Sequence, residues 1–234
     1  MERKHPYPFE VTLGEALTIQ ESIRRSVSFD FPLKEDDITL LAGVDVSYTR
    51  GGQAVATVVV LRFPSLEVVE VASGTHKPSF PYVPGFLSFR EGPAIEKALQ
   101  CLRCTPHIFF FDGQGIAHPR GVGLASHMGV LFGLVSIGVA KKPLVGRFEE
   151  PGEERGAFSW LEYQGKRVGI VLRTKDRVKP IFVSPGHQID FDRAKEWVLK
   201  TSGRFRLPEP IRLAHIMSER LKEGGKGNDG SLGL

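Results

Sequence analysis

Apolar positions along the first third of the chain change their period. From residue 12 to 28 (TLGEALTIQESIRRSVS), Leu13, Ala16, Leu17, Ile19 and Ile23 recur at spacings that gather on one helical face, with charges opposite. A helix of about four turns is expected there. From Ile38 to Tyr48 the run ITLLAGVDVSY is continuously apolar and β-rich, and GGQAVATVVVLRF and LEVVEVASGTHK follow it across Gly-Gly and Pro-Ser turn signals. Three strands joined this tightly predict an antiparallel meander.

Residues 93–104 (PAIEKALQCLRC) predict a helix with Pro93 at its first position, and His107 to Asp112 reads as a short buried strand, so a crossover precedes it. A Gly-rich loop, GQGIAHPRGVG, leads into LASHMGVLFGLVSIGVAKK, where helical composition gives way to the β-branched VSIGVA. RVGIVLRT and PIFVSPGHQI predict two further strands around the Asp176 turn, and helices are expected at 190–201 and 209–222. No repeat or long linker divides the chain. The expectation is one α/β domain over residues 1–222, with an antiparallel meander followed by parallel strands and helices on both faces, an order that suits a ribonuclease-H-like sheet. Residues 223–234 (EGGKGNDGSLGL) are expected to form a disordered tail.

Composition narrows the function classes. With 41% apolar and 25% charged residues, the chain is neither disordered nor fibrous. Two cysteines cannot staple 234 residues, and the polar start MERKHPYPFE resembles no secretory leader or transit peptide, so a reducing, cytoplasmic location is expected. No apolar run approaches the roughly 20 residues of a membrane span, so no membrane partner is expected. The 31 Lys and Arg against 27 Asp and Glu lean mildly toward a polyanionic partner. Neither GxxxxGK[ST] nor GxGxxG occurs, which leaves a nucleotide cofactor unsupported. G-x-S-x-G is also missing, and CLRC has no second Cys/His pair at zinc spacing, so buried thiols are expected at Cys101 and Cys104.

Two acids stand out. Asp45 lies among valines in AGVDVSY, and Asp112 ends the strand FFFD where a Gly-rich loop begins. Burying a bare carboxylate costs several kcal/mol unless a cation or donors compensate. On one sheet the two would repel each other and raise one pKa unless a divalent ion neutralised them, and oxygen ligands suit Mg²⁺ or Mn²⁺. Taken singly, Asp45 could instead pair with an arginine or cap a turn, and Asp112 could close an Asx-type turn. Glu91 precedes the expected helix start and could merely complement its dipole. Lys141 at a strand end could sit beside a phosphate or simply in solvent, and His215 on an amphipathic helix could be a satisfied boundary residue. Tyr82, between Pro81 and Pro84, suits a ring that wedges between bases, or one that anchors its loop.

The blocks AGVDVSY, PYVPGFLSFRE, FFDGQGIAHPRGVGLASH and GVAKKPLVG, and more loosely the RLAH around His215, together resemble the endonuclease V family over about residues 40–220. The resemblance implies a ribonuclease-H-like fold and Mg²⁺-dependent hydrolysis of inosine-containing DNA at the second phosphodiester 3′ to the lesion, with Mn²⁺ as a substitute. It implies that Asp45 and Asp112 hold the metal and that Glu91, Lys141 and His215 complete the catalytic site. Tyr82 would fill the gap left by the flipped base. Gly85, Leu87, Gly113, Gly115, His118, Arg120, Gly123 and His127 fall in the blocks that would contact the nucleic acid, the Gly113–Gly123 loop with Leu87 enclosing hypoxanthine. One departure is Gln114, where some relatives carry histidine. A monomer is expected. An endoribonuclease for inosine in RNA and a non-catalytic reader of damaged nucleic acid remain as alternatives; a phosphatase or sugar kinase is disfavoured by the missing nucleotide motifs.

Overall fold

Alternation along β1 (Leu40–Tyr48) decides what each face of the central sheet meets. Ala42 and Val44 pack with Phe109 and Phe111 into one apolar cluster, while Leu41 joins Ile108 and Phe110 in another on the opposite face. Both faces are covered, so β1 and β2 (Ala54–Arg62) are buried almost throughout and read as unbroken apolar runs. The computed structural model describes residues 1–223.

Eight strands form one sheet in the order β3-β2-β1-β4-β5-β8-β7-β6. β1, β2 and β3 (Glu67–His76) make the expected antiparallel meander. β4 (Ile108–Asp112) and β5 (Val135–Ala140) then continue parallel to β1. β8 (Ile181–His187) returns antiparallel to β5, and β7 (Lys166–Leu172) and β6 (Phe158–Tyr163) extend that edge. Helices α1 (Leu13–Ser26), α2 (Leu87–Gln100) and α3 (Leu124–Phe132) supply the first cluster; α4 (Phe191–Lys200) and α5 (Glu209–Lys222) cover the other face. The α/β architecture is as expected.

Several local expectations need correction. The buried face of α1 is Ala16, Ile19, Gln20 and Ile23, with Leu13 and Leu17 exposed, because a buried glutamine replaces leucine in the stripe. Helix α2 starts at Leu87, so Pro93 lies inside it and Glu91 belongs to its second turn. Phe86 and Phe89 pack on Phe80 and hold that first turn, which outweighs the hydrogen bond that Pro93 cannot donate to Phe89. The helix ends at Gln100, leaving Cys101 exposed and Cys104 half-buried rather than packed in a core. Strand β6, half-exposed at the sheet edge, has no counterpart in the sequence expectations. The expected tail, 223–234, lies beyond the described residues apart from Glu223. Among the described residues, no helix is long and apolar enough to cross a membrane.

Candidate metal centre and nucleic-acid interface

Asp45 and Asp112 meet because β1 and β4 run parallel in a register that pairs Val44 with Phe111, so the next residue of each strand emerges side by side. Odd positions of β1 face α5. A Cβ on Gly43 would strike the Pro210 carbonyl oxygen at 1.8 Å, and the Ser47 hydroxyl donates to the Ser218 carbonyl at 2.8 Å. Asp45, between them, therefore points at the same helix, where His215 Nδ1 lies 3.2 Å from its Oδ2. One ligand atom from each of Asp45, Asp112 and His215 can be chosen so that all lie within 4.8 Å of one another. The Ser218 hydroxyl donates to the same Oδ2.

Lys141, one residue past β5, donates to Asp112 Oδ2 at 2.8 Å. Glu91 reaches the strand ends from the opposite face of the sheet and accepts a 3.2 Å hydrogen bond from the Tyr48 hydroxyl. All five residues named for catalysis thus lie together. Glu91 is raised to about 8, chiefly by burial, with the charges of Asp45 and Asp112 adding to the rise and the Tyr48 bond opposing it. Burial likewise raises Asp112; Lys141 partly offsets this and Asp45 adds to it. Burial together with the charge of Glu91 raises the Tyr48 hydroxyl. Two carboxyls and an imidazole whose ligand atoms can converge within 4.8 Å form a donor set that fits a divalent cation.

A pocket of about 140 Å³ opens nearby, lined by residues that include Tyr82, Gly85, Leu87, Gln114, His118, Gly123 and Leu144. Tyr82 is 75% exposed, so it anchors no core. Gly85 adopts φ +82°, and a Cβ there would lie 2.6 Å from the Arg120 guanidinium. His118 Nδ1 accepts from the Arg120 backbone N–H at 3.2 Å, so Nε2 carries the proton and donates to the Gly85 carbonyl at 3.0 Å. Burial and the Arg120 charge hold this imidazole down at about 4, hence neutral.

Other expected contacts serve the scaffold. Arg120 lies outside this pocket: it donates to the Gly85 carbonyl at 2.6 Å and to Gln20 Oε1 at 2.5 Å, over the Phe86 ring. Gly113 and Gly115 do not line the pocket either; the Gly115 N–H donates to Ser184 Oγ at 2.8 Å, and a Cβ there would strike the Pro185 carbonyl. His127 is fully buried between Phe9 and Phe89, with burial holding it neutral at about 3, so it faces no ligand. Ser218, Tyr48 and Gln20 were missed in the sequence. The spacing of Ser218 from His215, three residues along one helix face, was the one available signal.

A meander followed by parallel strands, with carboxylates emerging from two adjacent parallel strands, defines a ribonuclease-H-like α/β protein with a candidate metal centre. The chain belongs to the endonuclease V family: the model of that family matches residues 21–216. It is 46% identical to the endonuclease V of Kosmotoga olearia over 218 residues, which cover 93% of this chain and 95% of the relative. The crystal structure of the Streptomyces avermitilis endonuclease V superposes with a TM-score of 0.87 at 43% identity, covering 93% of this chain and 96% of the other. The Ciona intestinalis endonuclease V, solved with a 24mer DNA containing an inosine followed by a ribo-adenosine, superposes with a TM-score of 0.80 at 28% identity, covering 90% of this chain and 98% of the other. The family is one of nucleases.

Proposed function

We propose that this chain, acting through residues 1–222 as one nuclease domain, recognises deoxyinosine in DNA and hydrolyses the second phosphodiester 3′ to it, using Mg²⁺ or Mn²⁺. The observation that carries this reading is the coupling of the acid cluster to the pocket. Helix α2 lines the pocket with Leu87 and Ser88 and delivers Glu91 about 4.5–6 Å further along its axis, at 1.5 Å per residue. The chain from Asp112 to Gln114 makes the same connection. A base held in the pocket would place its own strand over the carboxylates. The Ciona relative bound to inosine-containing DNA supports the substrate class.

In this reading Asp45 and Asp112 hold the ion and His215 flanks it. A divalent cation so held lowers the pKa of water and neutralises charge at the leaving oxygen. Lys141, already beside Asp112, offers its ammonium to the phosphate. Glu91, buried beside Asp45 and Asp112, would complete the acidic cluster next to the ion. Tyr82 occupies the gap left by the flipped base, a flip made cheaper by weak pairing of the lesion. Hypoxanthine lacks the exocyclic amine of guanine, so a close-fitting pocket admits one and rejects the other.

The test is cleavage of an end-labelled duplex with a single deoxyinosine, with Mg²⁺ and with chelator, beside a matched RNA. Cleavage of the DNA only with the ion, at the stated bond, supports the proposal. Cleavage of RNA alone replaces it with an endoribonuclease, and binding without cleavage of either leaves a reader of damaged nucleic acid.

A further inference from the structure

We propose that Ser218 is a positioning residue for the Asp45 carboxylate, its buried hydroxyl fixing one oxygen so that the other is presented to the metal. The inference rests on the metal-centred reading above.

Ser218 is fully buried on α5, three residues beyond His215. Its hydroxyl has one proton and two acceptors in reach: Asp45 Oδ2, and the His215 carbonyl of its own helix at 3.0 Å. A bond to an ionised acceptor is the stronger, so the proton goes to the carboxylate. No N–H or hydroxyl donor reaches Asp45 Oδ1 among the described residues, and the carboxyl's other neighbour is that of Asp112, the second proposed ligand. One oxygen is therefore held by Ser218, and no such donor holds the other.

His215 touches the held oxygen too, but its side chain is 45% exposed and is itself a candidate ligand. An imidazole that turns to the ion gives up that grip, and Ser218 then keeps the carboxylate oriented alone. The serine is itself well placed to do so. Ser47 Oγ donates to the Ser218 carbonyl at 2.8 Å, and α5 lies so close over Gly43 that no side chain fits between. Residues 43, 45 and 47, on one face of β1, thus form a continuous contact with α5, and the hydroxyl of Ser218 has little room to drift.

The experiment measures Mn²⁺ affinity by electron paramagnetic resonance for wild type, Ser218→Ala and Ser218→Thr, with melting of each metal-free protein as the control for folding. Removing a group that orients a metal ligand costs about 10–100-fold in affinity. Ser218→Ala is expected to weaken Mn²⁺ binding by that factor while melting within a few degrees of wild type, and Ser218→Thr, which keeps the hydroxyl, to recover most of the affinity. If alanine prevents folding, Ser218→Cys, isosteric with a weak donor, takes its place with the same expectation. Wild-type affinity in the alanine variant, or equal loss in the threonine variant at a normal melting temperature, overturns the inference while leaving the metal-centred reading intact. A wild-type protein that binds no Mn²⁺ overturns both.

Discussion

Glu91 sits 7% exposed beside two other carboxyls, with Tyr48 as its hydrogen-bond donor. A carboxyl whose pKa is raised by folding binds its proton more tightly in the native state, so the stability it contributes is present below its ordinary 4.5 and is lost as pH climbs through about 8. Asp112 is raised in the same direction. The metal-free protein is therefore expected to lose stability between about pH 5 and 8, and Glu91→Gln to flatten that slope; denaturant melts across the range in chelator check this, and an unchanged slope contradicts it. Tyr82 makes the opposite case, a ring that gives the fold little. Tyr82→Ala is expected to leave stability within about 0.5 kcal/mol, as for surface changes generally. Cleavage of inosine in duplex DNA should fall more than cleavage in single strands, where no stack needs opening. Asp45 and Asp112 were legible in the sequence because a carboxylate inside a run of valines or phenylalanines demands compensation wherever the strand lies. Ser218 and Tyr48 were not, since a helical serine or a strand-end tyrosine has many inconspicuous uses. His127 was misplaced because adjacency to a recognisable block says nothing about which way a helical side chain faces.

At the level of elements, the site depends on α2 and α5 approaching the sheet from opposite faces. The approach of α5 is set by Gly43, where an added Cβ would lie 1.8 Å from the Pro210 carbonyl oxygen, a backbone atom that cannot step aside. Gly43→Ala should push the start of α5 outward, costing about 1–3 kcal/mol as overpacking does. Cleavage should fall with it, because Asp45, His215 and Ser218 lose their register. The control is Gly14→Ala in α1, where the added methyl meets nothing within 4 Å; better helix propensity there adds up to about 1 kcal/mol. Calorimetry on both proteins separates the cases, and a Gly43→Ala protein as stable and active as wild type would show that α5 shifts freely. Strands β1, β2, β4 and β5 were readable because burial on both faces leaves a continuous apolar signature, and the edge strand β3 from its valine-rich run between turn residues. Strand β6 (FSWLEY) was not, because it has no β-branched residue and buries only Leu161. The true start of α2 was hidden by Pro93, whose usual place is the first turn; packing of Phe86 and Phe89 decided otherwise.

Across the whole molecule, the site draws on distant parts of the chain: β1, β4 and α5 contribute Asp45, Asp112 and His215, which are separated by 67 and 103 residues in sequence. An ion bound by the native state alone is therefore a tertiary cross-link. At a concentration about 100 times its Kd, it contributes about 2.7 kcal/mol. For a chain of this size each kcal/mol moves the melting temperature by about 2–4 °C, so Mn²⁺ should raise it by about 5–10 °C over the chelated protein. Asp112→Asn separates that gain from general effects of salt. It removes a carboxyl whose pKa is raised, a sign that its surroundings resist the charge, so the chelated variant should melt no lower than chelated wild type. It also removes a ligand, so most of the Mn²⁺ increment should vanish. A variant that keeps the full increment places the ion elsewhere. One that melts well below wild type in chelator shows instead that the Lys141–Asp112 pair holds β4 to β5, and that the aspartate is structural before it is anything else.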